Sequence, residues 1–121
     1  MANRKLSARY DDALAPTGIN IAQFSLLRNV QRRQPVSLTE LGRHMELDRS
    51  TLGRNVRVLE RMGLLKFGRG DDHREALVLL TEGGEAMLLI AVPLWQACQD
   101  EIAARLGAEK LAVLTELNSL L

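Results

Sequence analysis

Between Arg49 and Arg61 the chain carries Arg49, Arg54, Arg57 and Arg61 with a single acid, Glu60, among them. At about 100° per residue, Ser50, Arg54, Arg57 and Arg61 fall on one side of a helix, and Leu52, Val56, Leu59 and Met62 on the other. A guanidinium is a rigid, planar fork of donors that matches a phosphate group or the O6 and N7 edge of guanine. A solvated charge stripe would carry acids four residues before its bases, and this one does not. Ser50 and Gly53 are small, so the first half of the helix can approach another surface closely. The chemistry expected is recognition of a nucleic acid. Ser50, Thr51 and Arg54 would face base edges, Arg57 and Arg61 would meet phosphates or the minor groove, and Arg49 and Asn55 are counted with the DNA-facing residues.

The elements that must position these side chains are also legible. Ser37 and Glu40 form an S-x-x-E capping pattern, and Val36 and Leu41 have the spacing of a hydrophobic staple. Leu38, Leu41 and Met45 then supply an apolar face, and Asp48 caps the arginine-bearing helix after about three intervening residues. Two helices joined so tightly read as a helix-turn-helix, whose second helix enters the DNA major groove with its N-terminal residues on base edges. Ser37, at the start of the first helix, is counted with the DNA-facing residues. Leu64 to Arg69 and Glu75 to Leu80 are β-prone, and Gly70 to Arg74 between them carries hairpin-turn chemistry.

The run LERMGLLKFGRGDDHREALVLLTEGG resembles the MarR family of winged helix-turn-helix regulators. It carries L-E-x-x-G-L before the wing, D-x-R at Asp72 to Arg74, and L-T-x-x-G at Leu80 to Gly84, and the likeness extends over roughly residues 9 to 90. Two features depart from it, a short wing and Phe67 where the family often has a basic residue. The resemblance implies a mainly α fold with a small β-hairpin wing, a winged helix-turn-helix with terminal dimerisation helices. It implies that Asp72 holds Arg74 in place, and that Arg69, His73 and Arg74 contact DNA from the wing. It further implies a homodimeric repressor on a palindromic site, responsive to an aromatic or phenolic acid. Tyr10, Phe24 and Arg28, with the apolar start of the last long helix, could make a mostly apolar effector pocket with one cation. The competing reading of that trio is plain core beside a solvated arginine.

At 121 residues the chain is expected to form one domain. Residues 1–17 and 81–121 read as dimerisation helices, and 18–80 as the DNA-binding part. Net charge is only +1 overall. It is segregated, however, with a net +6 over residues 1–74 and −5 over 75–121, the footprint of a one-sided electrostatic surface. One cysteine fits a reducing compartment, and neither a signal peptide nor a membrane-length apolar run is visible. The expectation is a cytoplasmic protein.

Taken in order, Lys5 to Ala15 reads as a helix ended by Pro16 and Gly18. Asn20 and Gln23 repeat the capping-box pattern and begin a helix to about Gln31, with Phe24, Leu26, Leu27 and Val30 inward and Ser25, Arg28, Asn29 and Arg32 outward. Thr81 caps a long helix to about Leu106, which Gly107 is expected to stop and Pro93 to kink. A last helix, Glu109 to Leu120, presents Leu111, Leu114, Leu117 and Leu121, more apolar surface than one small domain can cover, so a two-fold partner is expected. Asp71, Asp72 and His73 lack a second histidine at ligand spacing, so no metal or other cofactor is expected. Neither a nucleophile–base–acid constellation nor a phosphate loop is present, and no enzyme is expected. Cys98 sits on an apolar face with no cation within one turn, as a small hydrophobe rather than a reactive thiol. The alternative to a DNA-binding regulator is a winged-helix module that binds only proteins.

Overall fold

The structure is a computed structural model and describes residues 2–69 and 76–118, with side chains for 5–68 and 76–105. Helix α1 (Ala2–Leu14) passes through a 3₁₀ turn (Ala15–Thr17) to α2 (Ile21–Arg33), followed by β1 (Val36–Ser37), α3 (Leu38–Met45) and α4 (Arg49–Arg61). Strands β2 (Leu65–Arg69) and β3 (Ala76–Leu80) precede α5 (Glu82–Asn118).

Helix starts follow the capping chemistry. At α2 the Asn20 side chain accepts from the Gln23 N–H at 2.8 Å while Gln23 Oε1 accepts from the Asn20 N–H at 2.9 Å. This closes a full capping box, worth about 1 kcal/mol against alanine at the cap. Asp11 Oδ1 accepts from the Ile21 N–H at 2.7 Å and so ties α1 to the same helix start. At α3 only half of the expected box forms. Ser37 accepts from the Glu40 N–H at 3.1 Å, but the Glu40 carboxylate turns to Arg43 at 2.8 Å and His44 at 3.9 Å.

The core gathers one face from each element. Phe24, Leu26, Leu27 and Val30 of α2 meet Leu41 of α3, Leu52, Val56 and Leu59 of α4, Val78 of β3, and Leu88 and Ala91 of α5. Each such large side chain contributes roughly 1.5–3 kcal/mol of burial, and this offsets the ordering of short helices that would not persist alone. Two polar residues expected to point outward are instead buried, Ser25 at 7% exposure and Asn29 at 3%. The Asn29 amide donates to the Ser25 carbonyl at 2.9 Å and accepts from Arg33 at 2.8 Å, so its burial leaves no unmet hydrogen bond there. Met62, expected on the packed side of the arginine helix, is 43% exposed because α4 ends at Arg61 and the chain turns away.

The expected hairpin forms, with Leu65 opposite Leu80 and Arg69 opposite Ala76. A third strand, absent from the sequence-based expectation, joins it as β1 pairs antiparallel with β3, Val36 opposite Val78, in the order β1-β3-β2. Gln34 Oε1 accepts from the Leu80 N–H at 2.8 Å, extending the tie between the end of α2 and the end of β3.

Helix α5 departs most from expectation. It runs unbroken for 37 residues, through Pro93 and through Gly107, so no separate last helix exists. A glycine inside a helix costs about 1 kcal/mol relative to alanine, too little to stop one flanked by Ala103, Ala104, Arg105 and Leu106 before it and by Ala108, Glu109 and Lys110 after it. At about 1.5 Å per residue it spans roughly 55 Å. No helix among the described residues is long and apolar enough to cross a membrane.

Candidate nucleic-acid interface

Helices α3 and α4 are joined by Glu46, Leu47 and Asp48, the three-residue turn read from the sequence. Glu46 closes α3 in the left-handed region at φ 55°, and the Leu47 N–H donates to the Gly42 carbonyl at 3.0 Å. A Cβ on Gly42 would lie 3.0 Å from the Leu47 carbonyl oxygen and 3.5 Å from Leu52, so the absence of a side chain there lets the turn close against α4.

Asp48 starts α4. One carboxylate oxygen accepts from the Thr51 N–H at 2.8 Å and the other from the Thr51 hydroxyl at 2.9 Å. These bonds first, and the nearby Arg54 charge less, hold the carboxyl below the usual carboxylate range. Along α4, Leu52, Val56 and Leu59 are buried while Arg49, Ser50, Arg54, Asn55, Arg57 and Arg61 are exposed and Thr51 is half-buried. The ion pairs among the described residues are Arg43 and His44 with Glu40 and Arg105 with Glu101, so none of the α4 arginines is neutralised by one. The structure thus brings Ser50, Arg54, Arg57 and Arg61 onto one solvent face with Arg49 at its start.

Ser37 stands apart from that face. It is 7% exposed, its hydroxyl is occupied as the cap of α3, and it belongs to strand β1. Arg69 ends β2, with its side chain outside the described residues, as are Asp72, His73 and Arg74 altogether. Arg43 and Lys66 are among the exposed bases not singled out from the sequence. Arg43 lines an open groove of about 510 Å³ together with Thr39 and Arg49, and Lys66 is exposed on β2. The signal for Arg43 was available, since the apolar arc of Leu38, Leu41 and Met45 turns Thr39 and Arg43 outward.

The candidate effector residues lie at the junction of α1, α2 and α5. Tyr10 is 4% exposed and Phe24 fully buried, with the Phe24 ring stacked on Trp95 at 5.6 Å and 29°. The Arg28 guanidinium lies 5.9 Å from the Trp95 ring centroid and also donates to Gln31 at 3.0 Å. Partial burial, and then the like charge of Arg32, lower the Arg28 pKa from the ordinary guanidinium value. Trp95 is the residue the sequence reading missed here. It joins Phe24 to Arg28, and its buried indole N–H has no hydrogen-bond partner among the described residues. Cys98, one turn further along α5, is half-buried beside a groove lined also by Arg9, Asp12 and Glu101. Burial, followed by Glu101, raises its pKa, and Arg9 across from α1 opposes them more weakly.

A MarR family profile matches residues 17–75 of the chain. The crystal structure of the M. tuberculosis transcriptional regulator MosR in complex with DNA is 34% identical and superposes with a TM-score of 0.83 over 98% of this chain and 87% of that one. A mutant MarR from E. coli, complexed with operator DNA, is 27% identical with a TM-score of 0.85, covering 95% of this chain and 84% of that one. An HTH-type transcriptional regulator of Bacillus subtilis, YwoH, is 28% identical over 82 residues, and the match spans 68% of this chain and 60% of that protein's length. The capped turn between α3 and α4, the β2–β3 hairpin and these relatives agree, and the chain belongs to the MarR family of transcriptional regulators.

Proposed function

We propose that the chain is a sequence-specific regulator that binds double-stranded DNA as a homodimer, a repressor on a palindromic operator released by an aromatic or phenolic acid. It works in the cytoplasm and is not an enzyme. The observation that carries this reading is the solvent face of α4, where Arg54, Arg57 and Arg61 stand exposed without ion pairs to the described residues while the opposite face is locked into the core. Relatives solved with DNA, MosR and the E. coli MarR mutant, support it. Support for a dimer comes from α5, where Leu89 and Ile90 are 79% and 60% exposed, a poor arrangement for a helix standing in water. Arg28 beside the Phe24–Trp95 stack supports an anionic aromatic ligand, since cation and aromatic faces together suit a planar acid.

Selection of bound sequences from random duplex DNA tests the proposal. An inverted repeat with half-site centres about one helical turn apart is the expected result. Failure to enrich any sequence at moderate salt would overturn it in favour of a protein-binding module.

A further inference from the structure

At the start of α4 the Thr51 hydroxyl, unlike that of Ser50, has its hydrogen-bonding polarity already decided. It lies 2.9 Å from one oxygen of Asp48, whose other oxygen holds the Thr51 N–H at 2.8 Å. An ionised carboxylate can only accept, so the single hydroxyl hydrogen of Thr51 must point at Asp48. Only the oxygen lone pairs and the methyl group remain for an incoming surface. Neighbouring Ser50 is exposed and has no such tie among the described residues, so its hydroxyl can turn either way.

The major-groove edges of the bases sort by this polarity. Adenine N6 and cytosine N4 are donors, whereas guanine N7 and O6 and thymine O4 are acceptors. We infer that Thr51 is a specificity-determining residue that selects an amino base, adenine or cytosine, over guanine and thymine at one position of each half-site, because Asp48 has fixed its hydroxyl as an acceptor. This rests on the reading of α4 as the DNA-recognition helix and adds to it the chemistry of one base. It also gives Asp48 a part beyond capping. An acid placed at a DNA surface repels phosphate, and here it sets the polarity of the side chain three residues on.

Two substitutions keep the helix start while changing that polarity. Thr51→Val preserves shape and removes the hydroxyl. Asp48→Asn keeps a good cap, since its carbonyl oxygen still accepts from the Thr51 N–H, but its NH₂ now donates to the Thr51 oxygen and frees the hydroxyl hydrogen to point outward. Selection from random duplexes with the full-length protein and both variants, alongside thermal melts to verify folding, tests the inference. The native protein is expected to show one adenine-or-cytosine position per half-site. Thr51→Val is expected to lose about two- to tenfold discrimination there, the range of one neutral hydrogen bond, with the guanine position read by Arg54 untouched. Asp48→Asn is expected to move the preference towards guanine or thymine, whatever it does to overall affinity. Unchanged preference at every position in both variants, while the native protein still selects an inverted repeat, would overturn the role of Thr51 alone. A native protein that selects no sequence would overturn the DNA-binding reading, and the inference with it.

Discussion

The hydroxyl of Thr81 donates to the carbonyl oxygen of Gly63 at 2.6 Å and accepts from the Gly84 N–H at 2.9 Å, so one oxygen joins the end of α4 to the start of α5. Gly84 is pressed against the same corner, where a Cβ would collide with the Leu64 carbonyl oxygen and stand 3.0 Å from Leu80. The end of the helix bearing the arginines is thereby tied to the start of the helix expected to meet a partner subunit.

Thr81→Val removes both bonds and is expected to cost about 1–2 kcal/mol. Gly84→Ala, which forces backbone to shift, is expected to cost about 1–3 kcal/mol. Denaturant midpoints at unchanged slope provide the measurement.

Removal of the Arg54 guanidinium is expected to erase preference at one base pair in each half-site and to cost about 1–3 kcal/mol at the cognate sequence. Arg57→Ala and Arg61→Ala are expected to weaken all sequences alike, and each lost phosphate contact to flatten the plot of log affinity against log salt by about one unit. Titrations at several salt concentrations separate the two behaviours. An Arg54→Ala variant of undiminished selectivity would assign base reading elsewhere.

Leu114 and Leu117 lie three residues apart near the end of α5. On the proposed dimer, their joint replacement by lysine is expected to abolish folding and dimerisation together, since obligate homodimers often have no stable folded monomer. Light scattering of the native protein at micromolar concentration checks the premise, and a folded monomer there would refute it.

A salicylate-like acid is expected to raise the melting temperature and weaken DNA binding, and Arg28→Ala to remove both responses. If neither response occurs in the native protein, the Phe24–Trp95–Arg28 cluster is simply core with a cation laid across it.

For Cys98 the direction of the pKa shift sets the chemistry. Burial and Glu101 raise it above the ordinary thiol value, so the thiolate fraction near neutral pH is lower than in the unfolded chain and alkylation by iodoacetamide is expected to be slower. The rate rises only as pH climbs past the ordinary thiol range. Glu101→Gln is expected to speed the reaction and Arg9→Ala to slow it.

Most of the architecture was legible because it is written in local chemistry. Asn20 with Gln23, Ser37, Asp48 and Thr81 announce helix starts within three residues of themselves, and the structure makes each of those cap bonds. The arginine face was legible for the same reason, since periodicity alone assigns sides to α4. What escaped depends on contacts far apart in the chain. Strand β1 is two residues long and exists only because β3, about forty residues on, pairs with it. Asn29 is a polar residue that reads as outward until Ser25 and Arg33 are seen to satisfy it. Gly107 reads as a terminator because glycine ends many helices, although its intrinsic cost inside one is small. Arg9 acts on Cys98 from another helix altogether, which no inspection of α5 could show.

Trp95 is the only tryptophan in the chain, and it sits with a phenyl ring stacked on it and a guanidinium beside it, at the contact of α2 with α5. Its emission is therefore a built-in optical gauge of that contact. Were a small acid to enter beside Arg28, or α5 to shift on DNA binding, the surroundings of a single fluorophore would change. Either event would then be followed in real time on the unlabelled protein, with no other indole in the chain to dilute the signal.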